Sequence, residues 1–480
     1  MKLLIDNKNI EYTVREIITA YIPRLRLEIC DSIPTDGEDY VIASAVYESE
    51  KWLYRAVLCI NGKILSSDAI YPDFNKKHIS KLLGSLLKMV VPVTLPWGLL
   101  TGIRPAKMVR ELISEGMDYR DIYNLFVNEY EVLPSKAELA IEVAKRETAI
   151  TESMNKDAVS LYIGIPFCPT RCLYCSFTSQ SIKFSNTLVE PYMDALFLEI
   201  DYMAEYLKNA DIPIETIYIG GGTPTALDEI NLARLITKIE KSFDLSTTRE
   251  YTVEAGRPDT ITEEKLKILK NASVSRISIN PQTMNSKTLK LIGRCHTPED
   301  ILNSYEMALK CGFNHINTDL IAGLPDESVE DFKYTLSHIQ KMNPQSVTVH
   351  TLSIKHGSYL DMNYNMYTPT AATNVEQMLD ATADLMRKMK KNPYYMYRQK
   401  NMLGNLENVG YCNSGSECLY NIYIMDEVQS IVSLGAGGST KIVKNDNIER
   451  VFNVKEVSEY IKRIDEMIDR KKNLFKSGIK

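Results

Sequence analysis

The chain has 480 residues, 44% of them apolar and 25% charged. Those are ordinary values for a globular protein and exclude a disordered chain, a collagen and a low-complexity scaffold; at roughly 150 residues per domain, the length fits about three domains. Lys and Arg number 56 against 62 Asp and Glu, a formal charge of −6, so no nucleic-acid partner is expected. The most apolar stretch, Leu86 to Leu100, is broken by Lys88, Pro92 and Pro96, so no membrane span is expected. The start, Met1-Lys-Leu-Leu-Ile-Asp-Asn, lacks the apolar core of a signal peptide, and the chain reads as cytoplasmic.

In chain order, Tyr40 to Glu48 and Trp52 to Ile60 read as strands rich in Val, Ala, Tyr and Ile. Asn61-Gly62 supplies a hairpin turn into Lys63 to Ser66. Helical patterns follow at about Lys76 to Val90 and Ser135 to Thr148, which makes residues 1–151 an N-terminal α+β domain. The loop Thr101-Gly-Ile-Arg-Pro105 reads as a packing turn.

From Ser160 short apolar runs recur: Leu161 to Ile165, Thr216 to Gly220, Glu250 to Glu254, Arg276 to Asn280, Asn314 to Ile321 and Ser346 to Thr351. Helical segments separate them: Pro191 to Leu207, Glu229 to Ser242, Glu263 to Lys270, Pro298 to Leu309 and Val329 to Met342. This alternation predicts an α/β fold with a parallel sheet and right-handed crossovers, an open (β/α)6 partial barrel over residues 157–372. A long helix, Val375 to Lys391, opens a C-terminal α+β domain, 373–480. It contains strand-like Tyr420 to Met425 and Ser430 to Leu434, then a charged helix from Val457 to about Asn473. The run Arg470-Lys-Lys472 reads as a solvated helix end.

Nine cysteines are too sparse for a disulfide scaffold, and Cys30, Cys59, Cys295, Cys311, Cys412 and Cys418 are scattered. The other three form Phe167-Cys168-Pro-Thr-Arg-Cys172-Leu-Tyr-Cys175, directly after the first barrel strand. Three thiolates on one loop can hold three irons of a cubane cluster and leave the fourth iron open. A zinc site wants four protein ligands and no Cys or His pair lies nearby to complete one; ordinary loop thiols are the bland alternative.

Further polar residues gather at the carboxyl ends of the other strands, where barrel sites are built. Gly220-Gly-Gly222-Thr-Pro-Thr225 follows strand two and lets backbone groups approach a ligand. Glu254 ends strand three, Gln282 follows strand four, Arg294 lies beyond it, and Asp319 lies in strand five. Alone, each is more often a solvated or ion-paired side chain; together at one rim they suit a polar, zwitterionic ligand. His350 and His356, at and after strand six, are read as satisfied histidines, with a proton or ligand contact as the alternative. Cys412 and Cys418 are read as small buried residues.

Placed after the first strand of a partial barrel, this cysteine spacing resembles the radical SAM superfamily. Tyr162-x-x-Ile-Pro-Phe-Cys168-x3-Cys172-x-Tyr174-Cys175, Gly220-Gly-Gly-Thr-Pro-Thr225 and Asp319-Leu-Ile-Ala-Gly-Leu-Pro325 together resemble the oxygen-independent coproporphyrinogen III oxidase family. Leu100-Thr-Gly-Ile-Arg-Pro105 and Val253-Glu-Ala-Gly-Arg-Pro-Asp259 are similar to its HemZ-type branch, the coproporphyrinogen dehydrogenases. The resemblance implies a [4Fe–4S] cluster on Cys168, Cys172 and Cys175, flanked by Tyr162 and Tyr174. It implies one or two molecules of S-adenosylmethionine, with Gly221, Gly222 and Thr223 at the methionine end of the first. Glu254, Gln282, Arg294, Asp319 and Ser353 would meet the remaining polar groups. The implied reaction is oxidative decarboxylation of coproporphyrinogen III to protoporphyrinogen IX, with a tetrapyrrole substrate and a low-potential donor such as flavodoxin or ferredoxin.

Two positions depart from the decarboxylating pattern: Gly164 replaces a histidine, and Phe177 a fourth cysteine. Related haem chaperones carry His-Asn-x-x-Tyr-Trp where this chain has Tyr420-Asn-Ile-Tyr-Ile-Met425, which argues against haem delivery. The alternatives are a radical SAM methyltransferase acting on a tetrapyrrole or aromatic acceptor, and a haem-binding chaperone.

Overall fold

The computed structural model describes all residues except 34–36, 103, 178–179, 401, 445–446, 477 and 479–480. The chain forms two compact units: residues 1–141 with 398–406, and residues 142–397 with 407–480.

The first unit is a five-stranded sheet, β1 (Lys2–Ile5), β2 (Glu28–Ile29), β3 (Tyr40–Glu48), β4 (Lys51–Ile60) and β5 (Lys63–Tyr71), in the order β2-β1-β3-β4-β5. Asn61 and Gly62 both adopt positive φ, as the tight turn requires. Helices Lys8–Tyr21 and Lys76–Val90 start at Asn7 and Asn75, whose side chains accept from Asn9 N and Lys77 N. Ile10, Val14, Ile17, Leu83 and Leu87 face Val41, Ala43, Tyr54 and Ala56 in one core. The strand pair β1–β2 and the helix Lys8–Tyr21 escaped the sequence reading. The two strands are short, and β1 is recruited by parallel pairing with β3 rather than by a hairpin. The Thr101–Pro105 loop has a partner: Arg398 Nη1 donates to Leu100 O (2.6 Å) and Gly102 O (3.1 Å), and its guanidinium lies over the buried Trp97 ring. Ile103, in that loop, is outside the described residues.

The second unit carries the expected barrel. Six parallel strands, β6 (Val159–Ile165), β9 (Ile214–Gly221), β10 (Glu250–Glu254), β11 (Arg276–Ser278), β12 (Ile316–Ala322) and β13 (Ser346–Thr351), pair in sequence order. The pair β7 (Phe167–Cys168) and β8 (Gln180–Ser181) sits on the loop after β6. Helices Val189–Asn209, Glu229–Ser242, Glu263–Asn271, Pro298–Lys310 and Val329–Met342 are the crossovers. Several begin at side-chain caps, with full capping boxes at Thr297/Asp300 and Ser328/Asp331.

The barrel strands are two-faced. Leu161, Ile163, Ile217, Ile219, Val253 and Ile277 pack on the crossover helices, each contributing about 1.5–3 kcal/mol on burial. The alternate residues are polar and bond one another across strands: Thr216 Oγ1 to Ser160 Oγ (2.7 Å), Tyr218 OH to Glu254, Arg276 Nη2 to Ser346 Oγ (3.2 Å) and Thr348 Oγ1 to Asn317 Oδ1 (3.2 Å). The inner face of these strands is therefore polar and internally hydrogen-bonded rather than apolar.

Residues beyond 373 extend the same sheet at both edges. The antiparallel pair β14 (Asn392–Tyr397) and β15 (Asn408–Cys412) adds beside β13. On the other edge β16 (Ile431–Leu434) pairs parallel with β6, followed by β17 (Ser439–Lys444) and β18 (Asn447–Phe452).

Three C-terminal expectations need correction. Leu419–Asp426 is a helix, not a strand at Tyr420 to Met425. The run is apolar on every side, so periodicity is silent, and tertiary contact decides: the Glu250 carboxylate accepts the N–H groups of Leu419 (2.7 Å) and Tyr420 (3.4 Å) at the helix start. The last helix is two, Val457–Lys462 and Ile464–Phe475. Finally, Lys471 is not solvated. It is 1% exposed and its Nζ bonds Glu199 Oε1 (2.5 Å), which lies on the first crossover helix.

Candidate active site

The cysteine loop is fixed on every side. Gly222 N and Thr223 N donate to Ile165 O (2.8 Å) and Phe167 O (2.7 Å). Thr170 Oγ1 donates to Gly293 O (2.7 Å), Leu173 N to Ile292 O (3.0 Å), and Leu360 N to Leu173 O (2.9 Å). Cys168 is met by Thr223 Oγ1 at 3.4 Å. Cys172 is buried and faces Arg257 Nη1 at 3.8 Å. Burial pushes the Cys175 thiol up to about 11. Among the described residues no three His, Cys, Asp or Glu groups converge on a single ion.

The glycine turn has reasons within the protein. A Cβ on Gly222 would lie 2.5 Å from Phe167 O and 2.7 Å from Ile165 O, so only glycine permits those two backbone bonds. A Cβ on Gly220 would meet the Glu254 carboxyl at 2.9 Å. Gly221 has φ of +102°, and a Cβ there would lie 3.2 Å from Tyr162 OH.

Glu254 accepts from Tyr218 OH at 2.6 Å. Burial, with Asp319 adding to it, pushes its carboxyl up to about 7, against the lowering pull of the Tyr218 hydroxyl and the Gly221 N–H. Tyr162, Tyr218 and Tyr420 stack, with ring centroids 4.6 Å apart for Tyr218–Tyr420 and 6.1 Å for Tyr162–Tyr420.

A second group is joined through Asn280. Arg294 Nη1 donates to Asn280 O (2.6 Å), Asn280 Oδ1 accepts from Asp319 N (3.2 Å), and Gln282 N donates to Asp319 O (2.9 Å). Arg294 Nη2 also reaches Tyr174 OH at 3.5 Å. Asp319 Oδ1 accepts from Asn317 (2.7 Å), and its other oxygen lies 4.0 Å from His350 Nε2. Tyr397 OH stands 3.4 Å from His350 Nδ1. Ser353 lies two residues beyond β13.

The structure thus separates the two histidines. His350 faces Asp319, whereas His356 is fully exposed and pairs with Asp361 at 3.3 Å. Cys412 and Cys418 are buried among Tyr394, Tyr395 and Tyr423. Phe177 is 67% exposed, and the neighbours a Cβ on Gly164 would touch lie at an ordinary 3.5 Å. Neither departure is imposed by core packing. Sequence reasoning missed Tyr218, Asn280, Arg257, Tyr397 and the position of Tyr420. Tyr218 alternates with Ile217 and Ile219 on β9, and Asn280 continues the alternation of Ile277 and Ile279 just past β11, a signal legible in the sequence; Tyr397, Arg257 and Tyr420 reach the site only through the fold.

Residues 162–339 match the family described as the Radical SAM superfamily. Over 401 residues the chain is 41% identical to the oxygen-independent coproporphyrinogen-III oxidase-like protein HemZ of Bacillus subtilis, covering 82% of this chain and 80% of that one. It is 32% identical over 314 residues to the heme chaperone HemW of the same organism, covering 64% and 76%. The solved coproporphyrinogen III oxidase HemN of Escherichia coli, a radical SAM enzyme, shares the fold with a TM-score of 0.53 at 20% identity, over 68% of this chain and 73% of that one.

An open parallel barrel with a thiol loop at its carboxyl rim is the architecture of a radical SAM protein. This chain belongs to the oxygen-independent coproporphyrinogen-III oxidase-like family of that superfamily. Its cofactors are a [4Fe–4S] cluster and S-adenosylmethionine. The residues present fit both: three thiols stand on one fixed loop, and the half-buried Glu254 carboxyl is one that an ammonium group would return to its ionised form. No helix among the described residues is long and apolar enough to cross a membrane.

Proposed function

We propose that this protein decarboxylates coproporphyrinogen III to protoporphyrinogen IX without oxygen. The observation that carries the proposal is the 41% identity to the HemZ oxidase-like protein along 80% of its length. The polar inner face, with Tyr162, Tyr218 and Tyr420 stacked beside the carboxyl rim, supports a large, flat, polar substrate.

Cys168, Cys172 and Cys175 hold the cluster, with Tyr162 and Tyr174 beside it. Gly221, Gly222 and Thr223 take the methionine end of S-adenosylmethionine; Glu254, Gln282, Arg294, Asp319 and Ser353 take its other polar groups. When bound, the cluster and S-adenosylmethionine together supply a hydrogen-abstracting deoxyadenosyl radical. Each of two propionate side chains would give one hydrogen atom to that radical, forming 5′-deoxyadenosine, and would then lose carbon dioxide and pass one electron to a one-electron acceptor, leaving a vinyl group. The chain's own residues orient the substrate and exclude water. A small low-potential protein, a flavodoxin or ferredoxin, supplies the electron to the cluster. Segment 157–372 carries the chemistry, flanked by 1–151 and 373–480.

The HemW relatives favour haem binding as a second reading. Anaerobic incubation with coproporphyrinogen III, excess S-adenosylmethionine and a low-potential reductant separates the two. Loss of carbon dioxide in two steps, through a monovinyl tripropionate, is expected. Deoxyadenosine formed with the tetrapyrrole intact, or with a methyl group added, overturns the proposal, and tight stoichiometric haem binding then supports the second reading.

A further inference from the structure

Arg257 follows β10 in the loop Ala255-Gly-Arg-Pro-Asp259, and only 3% of it is exposed. Asp259 grips one edge of its guanidinium, with Nε to Oδ1 at 3.1 Å and Nη2 to Oδ2 at 3.0 Å. That leaves Nη1 for the cysteine loop, where it meets Thr170 Oγ1 (3.0 Å), Thr170 O (3.3 Å) and Cys172 Sγ (3.8 Å). The Arg294 guanidinium also acts electrostatically on Cys172. His296, buried 3.9 Å from Asp259, adds no charge, because burial pulls it down to about 4.

A buried cation costs desolvation energy, so a side chain that only fills space here would be apolar. A fixed N–H and a positive charge at one cluster sulfur do electrostatic work instead. Reducing a cluster held by three thiolates adds a negative charge, and a donor at the sulfur stabilises that charge.

We propose that Arg257, oriented by Asp259, is a positioning residue that raises the reduction potential of the cluster through Cys172. The inference rests on the assignment of the three thiols as ligands. Its test is a potentiometric titration of the reconstituted full chain, followed by the spin-resonance signal of the reduced cluster, after iron and sulfide are counted.

Arg257→Gln should keep its iron, yet at the wild-type midpoint its reduced-to-oxidised ratio should fall about tenfold, which is about 59 mV more negative for a one-electron couple. Arg257→Lys, which keeps the charge, should recover part of the shift. Asp259→Asn removes a negative charge from the same spot and should move the potential the opposite way, a reversal that general disruption does not produce. If Arg257→Gln fails to load iron, the Asp259→Asn shift decides. Unchanged potentials in iron-replete variants, or shifts of the same sign, overturn the inference. A wild-type chain that binds no iron would instead overturn the ligand assignment, and the iron count reveals that first.

Discussion

Tyr218 and Glu254 share a hydrogen bond of 2.6 Å between adjacent barrel strands, and that bond holds a half-buried carboxyl at the rim that carries the cysteine loop. The carboxyl sits up at about 7 because burial disfavours its charge. A folded-state value above the unfolded one means that Glu254 stabilises the fold when protonated. That contribution is full below the unfolded value of 4.5 and is lost as pH rises through about 7.

Ligand binding should show the opposite slope. An ionised Glu254 accepts a cofactor N–H better than a protonated one does. Affinity for S-adenosylmethionine should therefore rise about tenfold from pH 6 to pH 8, with proton release. Calorimetry in two buffers of different ionisation enthalpy measures both. Glu254→Gln should flatten the difference between the two pH values; a variant as pH-dependent as the parent would show that another group titrates.

Cys172→Ala should lose most of its iron, from about four irons per chain in the parent after anaerobic reconstitution. Cofactor cleavage to deoxyadenosine should vanish with it. Full iron content in this variant would remove Cys172 from the ligand set. Cys418→Ala, in the buried cluster around Tyr394, should keep its iron.

Two glycines should behave differently. Gly222→Ala drives a Cβ into two backbone oxygens and should cost about 1–3 kcal/mol of stability. Gly164→Ala finds neighbours at 3.5 Å and should cost less than about 0.5 kcal/mol, as for an unstrained substitution. Denaturant titration of both variants checks the ranking. Equal losses would mean that the loop between β6 and β9 yields more readily than its bonds imply.

Lys471 should matter as much as any core residue. Its partner Glu199 also accepts from Gly435 N (2.7 Å), Asn453 Nδ2 (2.8 Å) and Tyr460 OH (2.6 Å), all buried. Lys471→Met strands that carboxylate and should cost about 3–5 kcal/mol, whereas the neighbouring Lys472→Met, on an exposed pair, should change little. Thermal unfolding of the two variants gives the comparison.

The barrel scaffold and the cluster loop are legible in the amino-acid sequence. The thiol spacing at Cys168, Cys172 and Cys175 is local, and so is the alternation of apolar runs with helical patterns that yields β6 and β9 to β13. Local signals are readable because each is encoded within a few residues. What tertiary structure alone decided is what distant segments do to one another. Leu419–Asp426 is a helix because Glu250 caps it. Lys471 is buried because Glu199 lies opposite it. Arg257 reaches Cys172 only because the β10 loop folds over the cysteine loop. In each case a charge or hydrogen bond found its partner about 85 to 270 positions away in the chain, and no periodicity within a segment records so distant a partner.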